Sequence, residues 1–243
     1  MATVDWQATA SLHRQQLEAS AAALTLTLSA QQVDLLLAYM GWLQKWNKVY
    51  NLTSLRDPAE MLSHHLIDSL SAVVPLQRHL ATLPGSPATS NALPDATCDS
   101  TPAQPVRVLD VGSGGGLPGV VLAICLPHVS VTCVDTVNKK AAFIQQVAAA
   151  LRLPNLKGLH ARVETIQGGF DVVTSRAFAS LRDFITWSRG ALVPGGVWMA
   201  MKGKHPVQEL AELAADVDVF HVEPLHVPGL DAERCMVWMR VKG

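Results

Sequence analysis

Residues Val108 to Gly119 read Val-Leu-Asp-Val-Gly-Ser-Gly-Gly-Gly-Leu-Pro-Gly, and this stretch decides the fold. An apolar run typical of a buried strand enters a glycine-rich turn. Pro118 then stands where a first helical turn tolerates a residue without an amide hydrogen. Glycines in such a turn adopt positive φ and allow a ligand to approach the backbone closely. The stretch therefore predicts a strand, a ligand-binding loop and a helix in direct succession.

Two acidic residues belong to the same pattern. Asp135 stands at the end of the next predicted strand, where its carboxylate is placed to accept hydrogen bonds from ribose hydroxyls, so we expect a nucleoside-bearing cofactor. The GxGxxG spacing of Gly114, Gly116 and Gly119 also fits a nicotinamide or flavin dinucleotide. Asp110 favours S-adenosylmethionine instead, because a carboxylate there can meet the cationic methionine end of that cofactor, whereas a pyrophosphate gains nothing from an anion.

Strand-like and helical runs alternate along the second half of the chain. This alternation predicts an α/β class fold with a mostly parallel sheet and a C-terminal antiparallel pair. Together with the glycine loop, Asp110 and Asp135, it predicts a Rossmann-like S-adenosylmethionine-dependent methyltransferase sheet. The predicted strands cover 106–111, 129–135, 156–161, 170–175 and 196–202, the helices cover 118–126, 139–153 and 180–190, and the closing pair covers 217–222 and 235–241.

The composition divides the chain into three regions. Residues 1–83 are predicted to form an N-terminal helical subdomain, with a capping box at Ser29 and Gln32 and a second helix start at Asp57-Pro58. Residues 84–105 are rich in Pro, Ser, Thr and Ala, lack Lys and Arg, and predict a mobile linker. Residues 106–243 form the predicted S-adenosylmethionine-binding methyltransferase domain. Trp42 and Trp46, four residues apart, are expected to pack the helices against it.

Charge and cysteine content restrict the function further. The net charge is −1, so any RNA contact requires a local basic face. The candidates for that face are Lys45, Lys48, Arg56, Lys139, Lys140, Lys202 and Lys204. The four cysteines have no CxxC spacing, which indicates reduced thiols and no metal site. Without a signal-like or membrane-spanning run, the chain is expected to be cytoplasmic.

Several stretches together resemble a known family, the bacterial small-subunit rRNA guanine-N7 methyltransferases, or ribosomal RNA small subunit methyltransferase G, formerly glucose-inhibited division protein B. The likeness covers nearly the whole chain outside the linker. It is carried by Lys45–Lys48 with Tyr50–Thr53, His65 to Ser69, Leu109–Gly119, Ser175–Leu181 and Met201–Gly203. The chain departs from the family pattern in having His64-His65 where the family usually has Arg-His, and in its Pro-rich insertion.

This resemblance implies methyl transfer from S-adenosylmethionine to N7 of a guanine in 16S rRNA, within the small ribosomal subunit or its precursor. We expect the enzyme to be a monomer. It places cofactor contacts at Gly112, Leu117, Val163, Glu164 and Arg176, in addition to those that the loop pattern assigns to Asp110, Gly114, Gly116 and Asp135. Candidates for positioning the substrate are Arg176, Phe178 and Lys202. Phe178 is either a base-stacking residue or an ordinary core residue, and Arg176 is either a site residue or one half of a surface ion pair.

Two other functions remain open at this point: a dinucleotide-dependent oxidoreductase and a non-catalytic RNA-binding ribosome-assembly factor. No catalytic base is assigned. Guanine N7 carries its own lone pair, so the transfer requires alignment rather than deprotonation. The lack of an obvious His-Asp pair therefore does not count against an enzyme.

Overall fold

The computed structural model describes Trp6, residues 10–83 and residues 105–243. The predicted linker at 84–105 lies outside the described residues except for Pro105 and stays a prediction. Among the described residues, no helix is both long and apolar enough to span a membrane.

The N-terminal region begins with α1 (Ala10–Ala23) and α2 (Ala30–Tyr50). The predicted capping box is confirmed: the Gln32 amide donates to Ser29 Oγ at 3.2 Å, and the Ser29 amide donates to Gln32 Oε1 at 2.9 Å. Gln32 Nε2 also donates to the backbone carbonyls of Ile124 and Cys125 at 3.2 and 3.0 Å. The same side chain that caps α2 therefore ties it to the second half of the chain.

The next helical segment changes its winding part-way. It starts with α3 (Pro58–Met61), where Asp57 Oδ1 accepts the amide hydrogens of the first turn, as the sequence predicted. One π-helical stretch, Leu62–Ile67, follows and leads into α4 (Asp68–Leu70); α5 (Val73–Leu80) completes the region. π-Helical turns occur frequently at functional sites, and this one carries both histidines of the His64-His65 pair.

In the described residues, seven strands form one sheet in the order β3-β2-β1-β4-β5-β7-β6. Strands β3, β2, β1, β4 and β5 are parallel to one another, and β7 pairs antiparallel with both β5 and β6. This confirms the predicted α/β class and the closing antiparallel pair. The strands are β1 (Arg107–Val111), β2 (Ser130–Asp135), β3 (Leu156–His160), β4 (Phe170–Arg176), β5 (Leu192–Lys202), β6 (Val217–Pro224) and β7 (Cys235–Val241). The helices between them are α6 (Gly119–Cys125), α7 (Asn138–Ala150), α8 (Leu181–Ser188) and α9 (Val207–Ala211).

Two apolar clusters cover the two faces of the sheet. One joins the N-terminal helices to α6 and α7, with Leu36, Leu43 and Phe143 fully buried. The other packs α8 against the opposite face. The Trp46 ring lies 5.4 Å from that of Phe143 between centroids, which confirms the predicted packing of α2 on the α/β domain. Strand order reverses between β1 and β4, and ligands in open α/β sheets bind at the carboxyl ends of the strands beside such a reversal.

Candidate active site

The glycine loop after β1 is held against β2 by its own backbone. The amides of Gly112 and Ser113 both donate to the Val134 carbonyl, at 2.9 and 3.3 Å. Gly112 has a φ of +66°, and a Cβ built on it would lie 2.2 Å from Cδ2 of Phe178. Glycine is therefore required at this position both by the backbone conformation and by the aromatic ring that rests on it.

A cleft of about 550 Å³ opens beside this loop, at the carboxyl ends of β1 and β2. Five predicted site residues line it: Gly112, Asp135, Val163, Glu164 and Phe178. Its volume is in the usual range for small-molecule and cofactor sites. The chain therefore brings residues from β2, the segment after β3 and the segment after β4 around one concave surface.

Asp135 connects the cleft to the loop. Its Oδ2 accepts the Gly114 amide hydrogen at 3.1 Å and lies 3.6 Å from Lys140 Nζ, while its Oδ1 accepts the Val137 amide hydrogen at 2.8 Å. This buried carboxylate thus sets the position of the loop relative to β2 and also contributes to the cleft wall.

Asp110 occupies a different position from the one its charge suggested. Its side chain is fully buried beneath the loop, Oδ2 accepts the Gly119 amide hydrogen at 2.9 Å, and Oδ1 has no hydrogen-bond partner in the described part of the chain. Burial raises the pKa of Asp110 to about 7, although the Gly119 amide and the charge of Arg176 act in the opposite direction. The expected contact with the methionine end of a cofactor stays a prediction, and the visible role of Asp110 is to fix the start of α6.

Gly116 and Leu117 form the inner side of the loop. A Cβ on Gly116 would lie 2.5 Å from Cγ2 of Val120, and Leu117 belongs to the main apolar cluster. Their amides both donate to the Ser113 carbonyl, at 2.7 and 3.0 Å. These two predicted residues therefore shape the turn from below, whereas Gly112 forms part of the cleft surface.

A second cavity, of about 430 Å³, adjoins the first. The two share Ala177, a non-glycine residue with φ of +51°. Arg176, immediately before it, lines the second cavity, and Phe178, immediately after it, lines the first. Such strained residues cluster at functional sites. The full lining of the second cavity is His64, His65, Asp68, Arg176, Ala177, Met201, Lys202, Gly203 and Arg234.

Asp68 and Arg234 line the second cavity, and the sequence analysis did not single them out. Asp68 is 2% exposed, and its two carboxylate oxygens accept from Arg176 Nη1 at 2.6 Å and from Arg234 Nε at 2.8 Å. Arg176 Nη1 also donates to the His64 carbonyl at 2.7 Å. One signal was available: Asp68 is a single carboxylate within the apolar run 66–70, and a carboxylate buried in such a run needs a cationic partner.

His65 and Lys202 complete the polar lining. His65 Nε2 lies 2.6 Å from Thr53 Oγ1, and its Nδ1 is buried without a partner among the described residues. Burial, supported by the charge of Arg176, lowers the pKa of His65 to about 4, so the ring is neutral at pH 7. Lys202 Nζ donates to Glu209 at 2.9 Å and to the Ala179 carbonyl at 3.3 Å.

The predicted basic face is only partly free of counter-charges. Lys140 pairs with Asp135 and Lys202 with Glu209, while the other predicted members have no ion pair within the described ranges. Cys125, Cys133 and Cys235 are buried free thiols. No group of three or more His, Cys, Asp or Glu side chains suited to a metal ion occurs in the part of the chain that the structure describes.

Comparison with known proteins identifies the family of the chain. The sequence profile of the family described as rRNA small subunit methyltransferase G matches residues 32–82 and 96–237. The chain belongs to this family. A ribosomal RNA small subunit methyltransferase G of Acidovorax sp. (strain JS42) is 61% identical over 224 residues, covering 92% of this chain and 93% of the relative. The protein of the same name from Polaromonas naphthalenivorans (strain CJ2) is 60% identical over 227 residues, covering 93% and 95%.

Membership of the methyltransferase G family makes the chain an rRNA small-subunit methyltransferase, and the oxidoreductase and assembly-factor alternatives receive no support. Among solved structures, a predicted O-methyltransferase from Agrobacterium tumefaciens is similar with a TM-score of 0.46 at 23% identity, covering 57% of this chain and 74% of the other. That likeness is too distant to add to the assignment.

Proposed function

We propose that this methyltransferase transfers a methyl group from S-adenosylmethionine to N7 of a guanine in 16S rRNA. The observation that supports the proposal is the pair of adjoining cavities that share Ala177. The first has the residues expected for a nucleoside-bearing cofactor, and the second is lined by cationic side chains that suit RNA. Methyl transfer requires such a juxtaposition, because donor and acceptor must meet in line.

The residues of the first cavity fit S-adenosylmethionine. Asp135 offers a carboxylate at the carboxyl end of β2, the position from which such groups bind ribose hydroxyls. Val163 and Trp187 add apolar surface for a flat base, and Gly112 leaves the backbone open to close approach. The cofactor would supply a methyl group activated by its bond to a sulfonium.

The second cavity fits the nucleotide that accepts the methyl group. Arg176, Arg234 and Lys202 are donors without acceptor capacity, as the phosphate oxygens and the guanine O6 beside N7 require. The lone pair of N7 would form the new carbon–nitrogen bond, the carbon–sulfur bond would break with its electron pair left on sulfur, and no proton would move. The neutral His65 is therefore not needed as a proton acceptor. The contribution of the chain is to position the guanine and to exclude water.

Access to N7 favours a nucleotide that is unstacked from its neighbours. A protein reaches the Hoogsteen edge most easily in a loop or distorted RNA segment. Phe178 lies beside Trp187, with 5.9 Å between ring centroids, at the edge of the first cavity. Its packing on Gly112 supports a role in shaping the loop, and stacking on a base stays a separate prediction.

The test is incubation of the purified protein with labelled S-adenosylmethionine and small ribosomal subunits from cells that lack the enzyme. Nucleoside mass spectrometry of the rRNA then identifies the product. Labelled 7-methylguanosine at one position is the expected result. A different methylated nucleoside would contradict the guanine-N7 assignment, and no transfer to either subunits or naked rRNA would contradict the proposed reaction.

A further inference from the structure

We propose that Asp68 is a positioning residue for methyl transfer. It holds Arg176 and Arg234 in one arrangement at the wall of the second cavity, so that the N-terminal helices complete the active site. The inference rests on the proposed function, because it assigns the second cavity to the RNA nucleotide.

The geometry joins three distant parts of the chain at one carboxylate. Asp68 lies 108 residues before Arg176, at the end of β4, and 166 residues before Arg234, just before β7. Arg176 donates to Oδ2 of Asp68 at 2.6 Å, and Arg234 donates to Oδ1 at 2.8 Å. All three residues line the cavity. The two arginines come from the second half of the chain, one at the end of β4 and one just before β7, but the group that fixes both of them comes from the N-terminal helices.

Electrostatics gives Asp68 a function beyond the packing of α4. Two guanidinium groups that share a small cavity repel each other, and one carboxylate between them removes that repulsion while leaving one net positive charge. Charge-assisted bonds of this kind also fix the planes of the guanidinium groups. The cavity therefore presents a preorganised cationic surface rather than two mobile side chains.

The same contacts leave donors available for a ligand. Arg176 uses Nη1 for Asp68 and for the His64 carbonyl, and Arg234 uses Nε for Asp68 and Nη1 for the Glu233 carbonyl. Within residues 10–83 and 105–243, Nη2 of either arginine has no hydrogen-bond partner. Free guanidinium donors at a cavity wall suit a phosphate oxygen or a guanine carbonyl. Asp68 would act through them and would not itself contact the RNA.

An ion pair away from both cavities has a different setting in this protein. Arg189 and Asp216 form such a pair at 2.7 Å, with both side chains about half exposed and neither lining the two cavities. Asp216→Asn therefore serves as the matched control for Asp68→Asn, since each exchange removes one negative charge from an arginine pair without changing the side-chain volume.

The experiment measures steady-state methylation of small subunits at saturating S-adenosylmethionine for Asp68→Asn, Arg234→Gln and the double variant. We expect each single variant to lower kcat/KM by about tenfold or more. The double variant should lose clearly less than the product of the two single losses, because without Arg234 the exchange at Asp68 affects only Arg176. D216N should match the wild type. Losses that multiply in the double variant, or a D68N enzyme with wild-type kcat and KM, would overturn the inference.

Arg234→Lys provides a second route if D68N does not fold. Lysine can still pair with Asp68, but it has no second nitrogen corresponding to Nη2 that could bind a ligand at the same time. The proposal requires R234K to raise the KM for RNA almost as much as R234Q does, and R234K with wild-type kinetics would overturn it. A wild-type enzyme that transfers no methyl group would instead refute the proposed function, so the two failures are distinguishable.

Discussion

Exchange of Gly112 for alanine tests the contact on which the first cavity depends. Gly112 has a φ of +66°, and an added Cβ would lie 2.2 Å from Cδ2 and 2.8 Å from Cε2 of Phe178. The left-handed conformation costs an L-residue about 1–2 kcal/mol, and a methyl group forced against a packed side chain costs about 1–3 kcal/mol. We therefore expect G112A to lower the free energy of unfolding by about 2–5 kcal/mol.

Gly168 provides the matched control. Its φ of +57° is similar, but a Cβ there would meet nothing within 4 Å. G168A should therefore cost only the backbone term, about 1–2 kcal/mol. Urea unfolding of both variants measures the difference, which is the energy of the contact with Phe178. Calorimetric titration with S-adenosylmethionine should show weaker binding to G112A and unchanged binding to G168A.

The Phe178→Ala background completes the test. Removing the ring should eliminate the steric part of the G112A penalty and leave the backbone part, so the two exchanges should be non-additive. The reasoning is refuted if G112A is no less stable than G168A, or if its penalty is the same with and without the Phe178 ring.

Three further predictions, two exchanges and one titration, concern the buried and charged groups of the site. The pKa of Asp110 is raised from 3.8 to about 7, so between these pH values the folded chain binds one more proton than the unfolded chain. The free energy of unfolding should therefore fall by up to about 4 kcal/mol as pH rises from 4 to 7. Urea unfolding of Asp110→Asn should lack this part of the pH dependence, and an unchanged dependence would contradict the prediction. The pKa of His65 is lowered from 6.5 to about 4, so its contribution to the free energy of unfolding is lost as pH falls from 6.5 to 4. The imidazole signals of His65 in NMR spectra should therefore not titrate above pH 5. A titration midpoint near 6.5 would show an exposed ring and contradict the prediction. Asp135→Ala should weaken S-adenosylmethionine binding by about 10- to 100-fold, through lost charge-assisted hydrogen bonds, as measured by calorimetry against Asp216→Ala, and equal affinities would remove Asp135 from the cofactor site.

The parts of the fold that sequence predicted are those where local pattern and burial agree. The strand before Gly112 and the strand ending at Asp135 are buried on both faces of a parallel sheet. Their sequences are therefore mainly apolar, and such short apolar runs predict buried strands. The caps at Ser29 and Asp57 were predictable because each depends on side chains within three residues of one another. The bounds differ most at the start of β5, which is Leu192 instead of residue 196, and at the end of α7, which is Ala150 instead of residue 153; α9 was not among the predicted elements.

The second cavity was not predictable in the same way. Its central contact joins Asp68 to Arg176 and Arg234, and no periodicity along the chain records a meeting over 108 or 166 residues. The π-helical turn at Leu62–Ile67 was equally hidden, since its composition also suits an ordinary α-helix. Asp110 shows a similar limit, because the sequence indicates its place after the first residues of a strand but not its depth beneath the loop, which depends on how Gly119 packs over it.

Ala177 shows why the two cavities cannot be understood separately. Its φ of +51° is a conformation that costs an alanine free energy, and it persists only if the neighbouring residues are held more strongly on either side. Arg176 is held by Asp68 and the His64 carbonyl, and Phe178 rests on Gly112. The end of β4 is thus fixed at one residue by the N-terminal helices and two residues later by the glycine loop. Because both attachments act on the same strained backbone, we expect a change in the glycine loop to alter the position of Arg176, and loss of Asp68 to alter the position of Phe178.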